Sequence, residues 1–459
     1  MKRQTRRQFL QTAALTAIST SLAPLAVAAE KRSGDKPNFV IIFTDDQGYG
    51  DLSCYGATDF ETPNIDRMAD EGMKFTDFYA AAPICSPSRA ALLTGCYPPR
   101  VGITEVLFPR HRTGLSPSEQ TIADVLKTQG YATACIGKWH LGQLPEHLPT
   151  SHGFDYYFGL PYSNDMRPQD ESKYPPMPLI ENKKAIEFGP DQSTLTTRYT
   201  EKTIDFITQN KDKPFLVYLP HTMPHIPLFV SDKFKGKSKN GIYGDVIMEI
   251  DWSTGQILKT LKKLGLDEKT LVVFTSDNGP WLSKGKNAGT AGPLRDGKFE
   301  TYEGGMREPC IMRWPGKIPA ATVCSEIAAT IDFLPTFAAL SGAKLPKLPI
   351  DGKDISALLK NPNAKTPHEA FYYYKKSKLK AVRSGKWKIM FGKDAKATEL
   401  YNLSKDIGEQ NNILAENPKI AKKLEKLAEK MRRQLGDSLK DVKGKNIRPA
   451  CEIAPTKVS

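Results

Sequence analysis

Four short apolar runs rich in β-branched residues punctuate the chain, at residues 39–43, 131–136, 215–219 and 271–274. They are near-continuously apolar rather than alternating, the pattern of strands buried on both faces of a parallel sheet. Helical patterns lie between them, for example at 120–127 and 247–264. This alternation predicts an α/β fold, a large mixed and mostly parallel sheet sandwiched by helices. Each run ends in polar residues: Thr44-Asp45-Asp46, Gly137-Lys138-Trp139-His140, Pro220-His221 and Thr275-Ser276-Asp277-Asn278. Ligands of open α/β sheets bind beyond the carboxyl ends of the strands, so the four tips are expected to converge on one site.

Past residue 340 the pattern changes. Pro362 and Pro367 bracket a linker, and two strand-like runs follow, Phe371-Tyr372-Tyr373-Tyr374 and Trp387-Lys388-Ile389-Met390. Ile420, Leu424, Leu427, Met431 and Leu435 then recur at helical spacing behind Asn417-Pro418, a helix-start dipeptide. The expected division is a catalytic α/β domain over 29–360 and a smaller C-terminal α+β domain over 361–459, an antiparallel sheet plus a helix. The lysines of that last helix read as a solvated face.

The N-terminus changes the charge arithmetic. Residues 1–28 carry a basic start, a mild apolar run and Ala26-Val27-Ala28, the composition of a signal peptide. Arg6-Arg7-Gln8-Phe9-Leu10 resembles the twin-arginine export signal of bacteria, which implies export machinery and a periplasmic or secreted destination. Thr, Ser and Pro24 interrupt the run, and no later stretch approaches the ~18 apolar residues of a spanning helix, so no stable membrane anchor is expected. Losing 1–28 removes four positive charges and no negative ones, which takes the formal +14 of the 459 residues to +10. A basic chain suits a polyanionic partner. No recognised nucleic-acid module is present, so nucleic acid is not expected to be that partner. The cysteine count of 7 is odd, which rules out complete intramolecular pairing.

Two segments carry candidate chemistry. In Asp45-Asp46-Gln47-Gly48-Tyr49-Gly50-Asp51, two adjacent carboxylates at a strand tip repel unless a cation or proton relieves them. With Asp277 and Asn278 from another tip they form an all-oxygen set suited to a hard cation, calcium in preference to magnesium. No His/Cys spacing resembles a zinc site. Taken singly, either segment is an ordinary loop. In Cys85-Ser86-Pro87-Ser88-Arg89-Ala90-Ala91-Leu92-Leu93-Thr94-Gly95, Pro87 can open a helix, which places residue 85 at an N-terminus that attracts an oxyanion. Arg89 lies one turn on and reaches back toward it. The plain alternative is a buried or disulfide-bonded cysteine beside a surface arginine.

The run 85–95 resembles the signature of type I sulfatases, the formylglycine-dependent, arylsulfatase-like branch of the alkaline phosphatase superfamily, in which C-x-P-S-R directs oxidation of the cysteine to formylglycine. Gly130-Tyr131-Ala132-Thr133-Ala134-Cys135-Ile136-Gly137-Lys138-Trp139-His140-Leu141-Gly142 is similar to that family's second signature. The run 45–51, Pro224-His225, Asp277-Asn278-Gly279 and Lys298 ahead of Tyr302-Glu303-Gly304-Gly305 match in order, so the likeness spans residue 37 to the final helix.

The resemblance implies a sulfuric ester hydrolase working through a covalent sulfo-enzyme, with formylglycine made from Cys85 by a maturation enzyme. It implies calcium held by Asp45, Asp46, Asp277, Asn278 and the oxygen at position 85. Arg89 and Lys138 would stabilise the aldehyde hydrate, and His140 would act as the base that collapses it once sulfated. His225 would protonate the leaving alcohol, with Lys298 on the sulfate. Lys138, His225, Lys298 and Ser163 would line the substrate pocket. Two positions depart from the family: Asn164 replaces a frequent histidine, and Cys96 replaces a common basic residue and is free to pair with another cysteine. If Cys85 is converted, Cys54, Cys96, Cys135, Cys310, Cys324 and Cys451 remain, an even number that could pair completely. The expected substrates are sulfated carbohydrates. Alternatives on the same scaffold are a phosphonate monoester or phosphodiester hydrolase and a non-catalytic glycan-binding protein. Loops 160–200 and 280–297 are expected to hold the substrate choice.

Overall fold

The computed structural model describes residues 36–168 and 174–454, so the signal segment 1–28 lies outside the described residues. Ten strands form one sheet, in the order Thr322–Cys324, Met73–Phe75, Cys310–Arg313, Thr270–Ser276, Asn38–Thr44, Phe215–Pro220, Ala132–Ile136, Tyr156–Gly159, Pro178–Glu181 and Lys184–Phe188. The five from Thr270–Ser276 to Tyr156–Gly159 run parallel. Antiparallel pairing begins on either side of them, at Cys310–Arg313 and Pro178–Glu181. The four apolar runs are thus adjacent central strands.

Their continuous apolarity has a direct structural cause. Successive side chains of a strand point to opposite faces. Phe39, Ile41 and Phe43 therefore enter one core with Leu216, Tyr218, Leu271, Val273 and Phe337. Val40 and Ile42 enter the other with Val217, Leu219, Val272 and Phe274. Each fully buried side chain of this size contributes about 1.5–3 kcal/mol, so neither face tolerates a polar register. Helices Cys85–Thr94, Ile122–Lys127 and Phe333–Ser341 cover the first face. Pro63–Asp70, Leu195–Gln209 and Gly241–Lys263 cover the second. The last two are joined by a hydrogen bond between the buried Thr200 and Ser253 hydroxyls (2.6 Å). Asp251, buried in Gly241–Lys263, accepts the N–H groups of Asn64 (2.9 Å) and Ile65 (2.8 Å), which satisfies orphan donors at the start of Pro63–Asp70.

A four-stranded antiparallel meander follows, Phe371–Lys375, Lys378–Ser384, Trp387–Phe391 and Ala397–Asn402. The helix Pro418–Leu435 buries Leu424, Leu427 and Leu435 against it, as the spacing predicts, together with Ala421 and Ala428, while Ile420 and Met431 pack at the edge, partly buried. Buried charge joins this sheet to the loop after Lys298. Glu303, fully buried, accepts from Tyr79 Oη (2.6 Å), Tyr373 Oη (2.8 Å) and Lys388 Nζ (2.9 Å). Lys388 also meets Glu409 (2.8 Å), whose carboxylate accepts the Glu303 N–H (2.7 Å). Arg307 and Arg383 bind Asp77 on one side and Glu303 on the other. Three acids and three bases, all buried, balance here. Beyond the helix, Cys451–Glu452 pairs with Thr113–Gly114, and Arg448 clasps Glu119.

Of the two outcomes open for the cysteines, pairing or remaining as free thiols, the structure shows the second: all seven are free. Cys310 and Cys324 both register with Phe75, one strand to each side of it. Two strand spacings, roughly 9–10 Å between Cα atoms, exceed the reach of a disulfide. Cys96 donates to the Thr94 carbonyl (3.4 Å) and accepts from Arg448 Nη2 (3.4 Å) instead of pairing. Among the described residues no helix is long and apolar enough to cross a membrane.

Candidate active site

The strand tips converge as expected. Asp45 and Asp46 follow Asn38–Thr44, Asp277 and Asn278 follow Thr270–Ser276, and Lys138 and His140 follow Ala132–Ile136. All six are buried. Backbone bonds stitch the tips together: Asp277 N donates to Thr44 O (3.1 Å), Lys138 N to Pro220 O (2.7 Å) and Asp46 N to Asp277 Oδ1 (3.1 Å). Asp46 and His140 hold left-handed backbone, φ 64° and 61°, a strained conformation for residues with a Cβ. Two glycines make the crowding possible. A Cβ on Gly279 would lie 1.8 Å from Gly304 O, and one on Gly48 would lie 2.2 Å from Thr290 O.

Cys85 is the first residue of Cys85–Thr94, a helix buried along its whole length. The helix starts two residues before Pro87 rather than at it, which leaves residue 85 at the N-terminus in either case. Arg89, one turn on, is fully buried rather than a surface residue. Its Nη2 and Nε reach Asp277 Oδ2 at 2.7 and 3.1 Å, and its Nη1 donates to Lys138 O at 3.0 Å. Lys138 Nζ bridges Asp45 Oδ2 (2.5 Å) and Ser163 Oγ (3.2 Å). Lys298 Nζ binds Asp46 Oδ2 (2.7 Å) and stands 4.6 Å from the Trp281 ring centre. Three carboxylates therefore face three fixed cations.

This arrangement sets the protonation states. Burial pushes the Asp45 carboxyl up, but Lys138 and Arg89 outweigh it and hold the group well below the usual carboxylate range. Burial and the repulsion of Asp45 push Asp277 up to about 7 against Arg89 and Lys138. Burial, then Lys138 and Arg89, hold His140 well below its ordinary value. Its Nε2 lies 2.9 Å from the Leu107 carbonyl, which requires the proton there and leaves the lone pair on Nδ1, buried and without a partner among the described residues. His225 is lowered by burial and by Lys298. Its Nδ1 faces two acceptors, Ile226 O (2.6 Å) and Asn164 Oδ1 (3.1 Å), so Nε2, 3.5 Å from Asp46 Oδ2, carries the lone pair. Burial raises the Cys85 thiol, partly offset by Lys138 and Lys298.

The donor set fits a hard cation. Asp45 Oδ1 and Asn278 Oδ1 are buried without a partner among the described residues. Ligand atoms of Asp45, Asp46 and His225 lie within 4.8 Å of one another. Every residue of the sequence-based set (Cys85, Arg89, Lys138, His140, Ser163, His225, Lys298 and the four oxygen donors) falls in this one region.

Three supports escaped the sequence reading. Asn164, noted there only as a departure, orients His225 and is itself held by Gln192 Oε1 (3.1 Å) and Pro227 O (3.0 Å). Asp51 ties the 45–51 loop to the 280–297 loop by accepting from Gly48 N (2.7 Å), Thr290 N (2.8 Å) and Tyr243 Oη (2.6 Å). Trp281 packs against His225 at 5.8 Å and Phe299 at 5.4 Å. Asn164 had a local signal, its place beside Ser163, and Asp51 closes the 45–51 run, whereas Trp281 had none.

Comparison with known proteins agrees with this geometry. Residues 37–343 match the sulfatase family model, and 295–437 match that of the N-sulphoglucosamine sulphohydrolase C-terminal region. The chain is 40% identical to arylsulfatase A of Homo sapiens over 436 residues, covering 85% of this chain and 86% of that protein. It is 40% identical to N-acetylgalactosamine-6-sulfatase of Mus musculus over 396 residues, 82% and 75% of the two. Among solved structures it resembles the PsFucS1 sulfatase from Pseudoalteromonas sp., at 30% identity with a TM-score of 0.80, covering 87% of this chain and 90% of that one. It also resembles Ps i-CgsB in complex with k-i-k-neocarrahexaose, at 30% identity with a TM-score of 0.77, covering 89% and 95%.

Proposed function

The chain belongs to the type I sulfatase family of the alkaline phosphatase superfamily and is a sulfuric ester hydrolase, and from that premise we propose that it cleaves sulfate esters of carbohydrates, using formylglycine at position 85 and a bound calcium. The observation that carries this reading is the charge balance around Cys85. Asp45, Asp46 and Asp277 are already matched by Arg89, Lys138 and Lys298. A divalent cation would give the site a net positive charge, which attracts a sulfate ester and which that monoanion offsets in part.

Asp45, Asp46, Asp277 and Asn278, with the oxygen at position 85, would hold the calcium, which supplies Lewis-acid stabilisation of charge at the reacting oxygens. Formylglycine, as its hydrate, supplies a hydroxyl nucleophile together with a second hydroxyl that lets the sulfuryl group leave again. The chain's own residues do the rest. Arg89 holds Asp277 and, with Lys138, fixes the position of residue 85. His140 takes a proton at Nδ1, since its other nitrogen is committed to Leu107. Lys298 fixes the sulfate. An anion beside it offsets the repulsion from Lys298, which lowers His225 after burial does, and so favours the protonated imidazole that gives its proton to the departing alcohol. Ser163 steadies Lys138 at the pocket wall. The maturation enzyme and export through residues 1–28 belong to the same reading, as does a catalytic domain over 29–360 with its C-terminal partner over 361–459.

The test is hydrolysis of 4-nitrophenyl sulfate and the matched phosphate ester, with mass analysis of the peptide spanning Cys85. The expected result is sulfate turnover that exceeds phosphate turnover, disappears in Cys85→Ala and accompanies a peptide lighter than the cysteine form. Full activity in Cys85→Ala, or a preference for the phosphate ester, refutes it.

A further inference from the structure

Beside the sulfate-handling residues lies an open cavity of about 610 Å³, within the ~300–1,000 Å³ span of small-molecule sites. Trp281, which touches both His225 and Lys298, forms one wall, and Ile226 and Pro227 continue the chain from His225 along another. Three charged side chains face it: Asp165, Arg167 and Lys284. Arg167 rests its guanidinium 5.2 Å from the Phe229 ring centre, and its Nε is buried without a partner among the described residues. Lys284 Nζ sits 4.3 Å from the Trp281 ring centre. Asp165 Oδ1 is likewise buried and has no partner among the described residues. Buried donors and acceptors without partners are costly, and a ligand that supplies them recovers that cost.

Resting on the sulfatase reading, we infer that this cavity is a subsite for a second acidic group on the substrate, a carboxylate or another sulfate carried by the same glycan. Arg167 and Lys284 bind that group, and Asp165 accepts a sugar hydroxyl. Asp165 and Arg167 lie in the segment that follows strand Tyr156–Gly159, ahead of strand Pro178–Glu181, and Lys284 lies in the 280–297 segment. The preferred substrate is therefore a glycan with two anionic groups rather than an ester whose only charge is the sulfate removed. A charge-assisted hydrogen bond of about 1.5–3 kcal/mol corresponds to a preference of about tenfold or more.

The experiment compares three versions of one sulfated disaccharide: with no further acid, with a second sulfate, and with a uronate. For the wild-type protein kcat/KM is expected to be at least about tenfold higher for one of the dianionic forms, which also identifies the acid. In Arg167→Ala and Lys284→Ala that ratio falls toward one, mainly through KM. A ratio near one in the wild type, or one unmoved by both substitutions, overturns the proposal. Binding of the same disaccharides to the Cys85→Ser protein, measured by calorimetry, separates the two levels of the argument. If no form is hydrolysed, the sulfatase reading fails on its own. Tighter binding of a dianionic form that is lost in Arg167→Ala still supports the subsite, and equal binding of all three overturns it.

Discussion

His221 closes the tip of Phe215–Pro220, yet no part of the proposed chemistry uses it, and its effect should be visible in stability alone. The imidazole is fully buried, and neither ring nitrogen has a partner among the described residues. Burial alone pushes it from 6.5 to about 3. Between those values the unfolded chain binds a proton that the folded chain refuses, so stability is intact above pH 6.5 and is lost as the pH falls toward 3. Integrating the linkage gives a loss of about 2 kcal/mol between pH 7.5 and pH 5 from this one residue. His221→Leu removes the titration and fills the same apolar space, at a cost below ~1.5 kcal/mol at pH 7.5. Urea unfolding followed by tryptophan fluorescence at both pH values measures the difference. The variant should lose about 2 kcal/mol less than the wild type on acidification. Equal losses in the two proteins would show that His221 is hydrated or paired, and the reasoning from burial would fail.

Lys388→Met leaves Glu303 and Glu409 facing each other without their shared cation, and should destabilise the fold by about 3–5 kcal/mol in the same assay; a change below ~1 kcal/mol would refute the network. Asp45→Asn should weaken calcium binding at least about tenfold by calorimetry, since it removes one of the charged donors. Unchanged affinity would place the ion elsewhere. Asn164→Leu deprives the His225 Nδ1 proton of one acceptor, and should lower kcat about tenfold and shift the pH–rate profile, while a profile identical to wild type would confine Asn164 to a packing role.

The legible part of this protein is what the chain encodes locally. A two-faced strand must be apolar at every position, so residues 39–43 and 271–274 announce themselves, and a polar tip after each is then conspicuous. The Cys85 segment is legible because helix start, nucleophile and arginine fall within one turn and a half. What was not legible is set by contacts between distant segments. Arg89 meets Asp277 across 188 positions, and Asn164 meets His225 across 61. No periodicity in either segment reports such a meeting. The short strands Met73–Phe75 and Cys310–Arg313 lack the length for a pattern and owe their pairing to the sheet edge already formed. Parity of the cysteines left pairing undecided for a related reason: an even count says nothing of geometry, and the register on Phe75 keeps Cys310 and Cys324 apart.

The shared lysine between Glu303 and Glu409 also dictates where this protein can be recombined with its relatives. A crossover at residue 360 looks natural on the sequence, but it would set one parent's Glu303 against another parent's Lys388 and Tyr373. Any mismatch there strands a charge five residues from Lys298. A junction ahead of residue 295, where the C-terminal family match begins, transfers the lysine loop and the sheet beneath it together. The heritable unit is thus the sheet with its lysine loop, and chimeras that respect it keep Glu303, Lys388 and Glu409 together, while Asp77 and Asp46, which meet Arg307, Arg383 and Lys298 across the junction, must match between the parents.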